Sequence, residues 1–128
     1  HSRVVLLALP GAFTPTCSAR HLPGFIAAAE DRKAKGCDAI AWLSVTDAWV
    51  MDAWGKDQGV GDKIVMLGDG GGHLARALGM ELDRTGGGMG VRSRRYAMVV
   101  DDGRVSQLNI EADGKFEVSD AQTMLSVL

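Results

Sequence analysis

Apolar and polar positions alternate between two periods along the chain. The run Val4-Val5-Leu6-Leu7-Ala8-Leu9 has no polar interruption and is β-branched at its start, predicting a strand over residues 3–9 that is buried on both faces. Pro10-Gly11 breaks it. From Thr16 the period lengthens. Leu22, Phe25, Ile26 and Ala29 fall at i, i+3, i+4 and i+7, predicting a helix over 16–35 with Arg32, Lys33 and Lys35 in its last turn and Gly36 just past its end. Pro23 predicts a kink near the first turns, because its ring removes one hydrogen bond and crowds the carbonyl four residues earlier. Residues 39–45 repeat the buried-strand pattern, and Asp47 is placed to cap a helix through about residue 58 that buries Val50, Met51 and Trp54. A third strand is expected at 64–67, a loop at 68–72 and a short helix at 73–78 ended by Gly79. Residues 80–92 are glycine-rich and without period, which predicts a loop. Tyr96 to Val100 and Arg104 to Ile110 flank Asp101-Asp102-Gly103, the signature of an antiparallel hairpin on a type I′ turn. Ser119 with Gln122 forms a capping box for a last helix whose Ala121, Met124, Leu125 and Leu128 share one face. The order β-α-β-α-β-α-β-β-α predicts an α/β fold, a parallel core extended by an antiparallel C-terminal hairpin with helices on both faces.

Composition narrows the function. The 128 residues are 46% apolar and 23% charged with a formal charge of −2, enough to build one core without disulfide staples. No apolar run approaches the roughly 20 residues of a membrane span, and no signal-peptide pattern is present. Balanced charge and 5% aromatics speak against nucleic acid as a partner. Two cysteines and three histidines cannot supply a paired-spacing zinc site, so no metal and no cofactor is expected. These features predict a soluble cytoplasmic domain in which a cysteine is kept for its chemistry or its packing.

The chemistry concentrates in Pro10-Gly11-Ala12-Phe13-Thr14-Pro15-Thr16-Cys17, between a buried strand and a helix start. In an open α/β sheet, ligands bind beyond the carboxyl ends of the strands. Cys17 in the first helical turn faces unpaired backbone N–H groups, a setting that favours the anionic form of a thiol. Thr14, one turn back, brings a hydroxyl beside the sulfur for a small oxygen ligand, and Pro10 and Pro15 stiffen the turn without offering donors. A buried thiolate needs a cation. Arg92-Ser93-Arg94-Arg95 precedes the Tyr96 strand, and strand alternation sends Arg94 and Arg95 to opposite sides, so one faces the pocket and the other the surface. The same residues also fit a blander account, in which Cys17 is an inert buried thiol and the arginines a solvated run.

The string PGAFTPTC followed by SARHLPGF resembles the peroxidatic-cysteine motif of the peroxiredoxins, specifically the Prx5 or type II subfamily. The resemblance extends through Leu43-Ser44-Val45 with Asp47, residues 78–83, Arg92 to Tyr96, residues 99–103 and Leu108 to Glu111. It implies a thioredoxin-like fold and a thiol-dependent peroxidase that reduces hydrogen peroxide and alkyl hydroperoxides through a cysteine sulfenic acid. By that resemblance Cys17 is the peroxidatic nucleophile, Thr14 orients the peroxide, Pro10 shields the pocket, and Arg95 holds thiolate and peroxide. Gly11 and Phe13 flank the substrate. His21, one turn after Cys17, reads as a flanking hydrogen bonder or as a packing histidine.

The chain also departs from the pattern. Subfamily members that resolve the sulfenic acid internally do so with a cysteine near the C-terminal hairpin, and Lys115 to Asp120 contains none; some relatives carry another where Trp42 stands here. Cys37 sits at the far end of the predicted helix, roughly 30 Å from Cys17 at 1.5 Å per residue and far beyond disulfide reach. No resolving cysteine is therefore expected, and the predicted cycle uses one cysteine and an external thiol, either glutathione with glutaredoxin or thioredoxin. The resemblance further implies a homodimer, with Trp49 as a candidate anchor, and a segment preceding the first strand that residues 1–128 lack. Two other readings stay open: a thioredoxin-like thiol–disulfide oxidoreductase, although Thr14 stands where its second cysteine belongs, and a non-enzymatic redox-sensing or interaction domain.

Overall fold

The computed structural model describes residues 2–128, apart from the side chain of Lys33. Strand β1 (Arg3–Leu9) occupies the middle of a five-stranded sheet. It pairs in parallel with β2 (Ala39–Ser44), which pairs in parallel with β3 (Val65–Gly68). On its other side β1 runs antiparallel to β6 (Tyr96–Asp101), which continues antiparallel into β7 (Arg104–Ile110), giving the order β3-β2-β1-β6-β7. The predicted parallel core with an antiparallel hairpin is what forms. Asp102 and Gly103 both take positive φ, 48° and 83°, as a two-residue type I′ turn requires.

Side chains along β1 alternate between two apolar layers. Val5, Leu7 and Leu9 enter the larger one, with Leu22 and Phe25 of α1 (Leu22–Ala27), Met51 and Trp54 of α3 (Ala48–Gln58) and Met124 of α5 (Ala121–Ser126). Ala8 faces the smaller layer with Leu43, Met80, Tyr96 and Met98, and Leu74 of α4 (His73–Ala77) covers it. Helices therefore lie on both faces. Trp42 and Trp54 are fully buried with ring centroids 6.2 Å apart, each contributing on the order of 2–3 kcal/mol through lost apolar surface. Asp47 caps α3 as expected, accepting from Val50 N at 2.8 Å, and Gly59 closes it at φ 68°.

Three expectations are corrected. The first helix is not continuous. A π-helical turn (Cys17–His21) leads into α1, Ala28 interrupts, and α2 (Ala29–Ala34) follows. The π turn sits directly before Pro23, where the missing N–H and the bulk of the ring favour one extra residue in the turn. Arg32, in the last turn of α2 as expected, is buried and donates through Nη1 to the carbonyl of Cys37 at 2.9 Å. Residues 80–92 are not all loop, since β4 (Glu81–Arg84) and β5 (Gly90–Ser93) form a small separate hairpin. Four-residue strands are too short to display a period. The last helix is capped one residue later than expected: Asp120 accepts from Thr123 N at 3.2 Å, while Ser119 is buried and committed elsewhere.

Candidate active site

Leu9 ends β1 against Ser44, whose hydroxyl donates to the Leu9 carbonyl at 3.0 Å, and the chain then turns through residues 10–14 into the helical segment. Phe13 takes φ 60°, a conformation few side chains adopt, and this tight reversal lets Thr14 Oγ1 donate back to the Gly11 carbonyl at 2.7 Å. A Cβ on residue 11 would stand 2.9 Å from the Thr14 methyl and 3.0 Å from the end of Met89, which explains the glycine. Ser18 N makes the first helical bond, to Thr14 O at 2.8 Å, so the amide of Cys17 precedes the ladder and has no intrahelical acceptor.

Cys17 is fully buried, and its sulfur accepts from Arg95 Nη2 at 3.0 Å. The other terminal nitrogen of Arg95 donates to His21 Nδ1 at 2.6 Å, and His21 Nε2 lies 2.9 Å from the carbonyl of Ser119. The proton assignment follows from the partners. Guanidinium only donates and a carbonyl only accepts, so His21 is the neutral tautomer with its proton on Nε2. Burial, and then the positive charge of Arg95, push the His21 pKa down to about 3, in agreement with that assignment. Phe25, Trp42 and Phe116 enclose the imidazole at centroid distances of 5.7, 4.7 and 4.8 Å.

Sequence reasoning missed the support behind His21. Glu111, buried just past β7, accepts from the backbone N–H groups of Glu117, Val118 and Ser119 at 2.8–2.9 Å and from Ser119 Oγ at 2.7 Å. Burial alone would raise its pKa, but hydrogen bonds from Ser119, Glu117 and Val118 outweigh it and hold the carboxyl below its ordinary value. Glu111 thereby fixes the carbonyl that orients His21, which in turn orients Arg95. Nothing local in the sequence marks an acid after a strand for this work.

The structure thus gathers Cys17, Arg95 and His21 into one hydrogen-bonded chain, with Thr14 bonded to Gly11 in the turn that precedes Cys17. Pro10 and Arg95 both line the adjoining cleft. Phe13 is 52% exposed, its ring 6.3 Å from Trp54. Strand alternation does not govern residues 94 and 95, which lie between β5 and β6 outside any strand. Arg94 is half-buried and lines the same cleft as Arg95 instead of facing away. Cys37 is buried at the opposite end of the sheet, its sulfur donating to Ala39 O at 3.2 Å, and burial raises its pKa. The register Val4 to Ala39 and Leu9 to Ser44 puts about five strand residues, roughly 17 Å, between the two cysteine-bearing ends.

Comparison with known proteins gives a consistent picture. The family model described as Redoxin matches residues 1–125. The chain is 51% identical over 128 residues to peroxiredoxin-2E, chloroplastic, of Arabidopsis thaliana, covering 98% of this chain and 55% of that protein, and 48% identical to peroxiredoxin-2B of the same plant, covering 98% and 78%. It therefore spans little more than half the length of the first of these relatives. Among solved structures, reduced Prx3 in complex with H2O2 from Vibrio vulnificus superposes with a TM-score of 0.95 at 53% identity, covering 98% of this chain and 78% of that one. The cytoplasmic expectation does not survive, because peroxiredoxin-2E relatives at 51 and 54% identity, from Arabidopsis thaliana and rice, are chloroplastic proteins. Cysteine usage separates reducing from oxidising compartments and cannot tell one reducing compartment from another.

Proposed function

The chain belongs to the redoxin family and within it to the peroxiredoxins, and from that premise we propose that it is a thiol-dependent peroxidase with Cys17 as its nucleophile. The contact that carries this reading is the Arg95 guanidinium set 3.0 Å from the Cys17 sulfur and locked there by His21. A fixed cation against a buried sulfur is costly to assemble for packing alone. It is what an anionic nucleophile needs.

In the proposed reaction the Cys17 thiolate attacks the nearer peroxide oxygen along the O–O axis. The S–O bond forms as the O–O bond breaks, and the electron pair leaves on the far oxygen. That oxygen takes the proton of the hydroperoxide and departs as water or an alcohol, leaving Cys17 as a sulfenate. Arg95 and the orphan amide of Cys17 offset the charge that develops between the oxygens. Because the Thr14 hydroxyl already donates to Gly11, it is left to accept the peroxide O–H, which fixes which way the peroxide points. Pro10 roofs the site without offering a competing donor.

Resolution is proposed to come from an external thiol, glutathione with glutaredoxin or thioredoxin, since Cys37 is buried at the opposite end of the sheet from Cys17. A disulfide oxidoreductase would need its second cysteine at the position of Thr14. A homodimer that buries Trp49, 81% exposed, completes the reading. Stopped-flow oxidation by hydrogen peroxide tests the core of it. Wild type and Cys37→Ser are expected to react alike and to turn over with an external thiol, and Cys17→Ser not to react at all. Fast reduction by Cys17→Ser would overturn the assignment, and loss of turnover in Cys37→Ser with the peroxide step intact would overturn the one-cysteine cycle.

A further inference from the structure

Beside the Cys17 site lies a cleft of about 340 Å³ whose wall includes Pro10, Thr16 and Arg95, the same Arg95 that donates to the Cys17 sulfur at 3.0 Å. Its charge is out of keeping with the protein. The chain is net −2, yet this cleft is lined by Arg20, Arg84, Arg94, Arg95 and Lys115. Three carboxylates also line it, and two are already committed: Glu111 is 3% exposed and saturated by the 117–119 backbone, and Asp113 is paired with Arg84. Glu117 alone brings an exposed carboxylate without such a commitment. Among the described residues no carboxylate pairs with Arg20, Arg94 or Lys115. Arg94 Nη2 reaches only the Glu111 carbonyl, at 3.4 Å, and Arg20 stacks 4.8 Å over the Phe116 ring. Leu82 and Phe116 add apolar wall.

Hydrogen peroxide needs none of this. We propose, resting on the peroxidase reading above, that the cleft binds carboxylate-bearing organic hydroperoxides, with the carboxylate between Arg94 and Lys115, the carbon chain along Leu82 and Phe116, and the hydroperoxide beside Pro10 and Arg95. Guanidinium matches a carboxylate through paired N–H donors, and burial of the chain adds the apolar contribution. The reaction stays balanced: the Cys17 thiolate takes the terminal oxygen, the O–O bond breaks, and the substrate leaves as the corresponding hydroxy acid with the hydroperoxide's proton.

The test compares 6-hydroperoxyhexanoate with its methyl ester and with hydrogen peroxide, following Cys17 oxidation by stopped flow in wild type, Arg94→Gln, Lys115→Gln and the double variant. The free acid is expected to react faster than the ester in wild type. Each single variant should slow the acid roughly five- to tenfold, the worth of one charge-assisted contact, and leave ester and hydrogen peroxide unchanged. Raising salt to 0.5 M should narrow the gap between acid and ester in wild type only, as screening of a partly exposed charge pair requires. Titration of Cys17→Ser with the unreactive 6-hydroxyhexanoate, read by NMR shifts, should reveal binding that both substitutions weaken. Equal rates for acid and ester, or equal losses for all three peroxides in the variants, would overturn the proposal. So would an effect confined to the later step, reduction by the dicarboxylic thiol glutathione, which would assign the cleft to the reductant. If wild type failed to react even with hydrogen peroxide, the peroxidase reading would fall while the NMR titration still decided whether the cleft takes carboxylates.

Discussion

Arg95 spends its two terminal nitrogens on different groups, and this division explains how one side chain can both charge a site and hold still in it. Nη2 faces the Cys17 sulfur and Nη1 is held by a neutral imidazole that can only accept there. Truncating Arg95 to Ala removes the charge and should slow oxidation of Cys17 by about 10²–10³, the cost of losing one preorganised donor to developing negative charge. His21→Gln leaves the cation present but loosely aimed, so a loss of roughly tenfold is expected. Because His21 acts through Arg95, the double variant Arg95→Ala/His21→Gln should be no slower than Arg95→Ala alone, measured by the same stopped-flow assay. Additive losses would mean that His21 touches the reaction independently.

At the scale of elements, the site depends on two pieces of irregular backbone. The π-helical turn over Cys17–His21 sets Cys17 and His21, both buried, on one inward face just before Pro23. The segment 112–119 has no regular structure apart from turns and is tied down by the Glu111 carboxylate. Glu111→Gln replaces an acceptor-only anion with a group whose NH2 cannot accept, and is expected to lower unfolding stability by about 2 kcal/mol in urea. Faster amide exchange at residues 117–119 should accompany it, with a smaller change across β1. Gly68 poses a different constraint. A Cβ there would lie 2.7 Å from the Thr46 carbonyl oxygen and 2.9 Å from main-chain atoms of Asp47 and Ala48, none able to swing aside as a side chain could. Gly68→Ala should therefore cost roughly 1–3 kcal/mol, seen as an earlier urea midpoint.

For the whole molecule, the buried polar chain from Glu111 to Cys17 makes stability depend on pH. His21 has a folded pKa of about 3 against 6.5 in the unfolded chain, so the unfolded state binds more protons throughout that window and stability falls as pH drops below 6.5. Glu111, held below its ordinary value, acts in the same direction: its contribution is present above that value and is lost on further acidification. Between pH 7.5 and 5.0 the His21 contribution should amount to about 2 kcal/mol, at 1.36 kcal/mol per unit below 6.5. Urea midpoints at the two pH values should fall further in wild type than in His21→Gln; equal falls would refute the assignment of a buried neutral imidazole. Much of this architecture was legible in the chain by itself. The strands, the Asp-Gly turn and the Asp47 cap are local events, dictated by period, by positive φ and by a side chain reaching its own helix amides, and Cys17, Thr14 and Arg95 could be named from their motif. What the tertiary structure decided was everything that depends on groups far apart in sequence meeting in space: the tautomer of His21, the buried carboxylate of Glu111 behind it, and the cationic cleft that Arg20, Arg94 and Lys115 create only together. Periodicity reports what a residue does to its neighbours along the chain, whereas hydrogen-bond partners across 74 or 98 residues are set by how the elements pack.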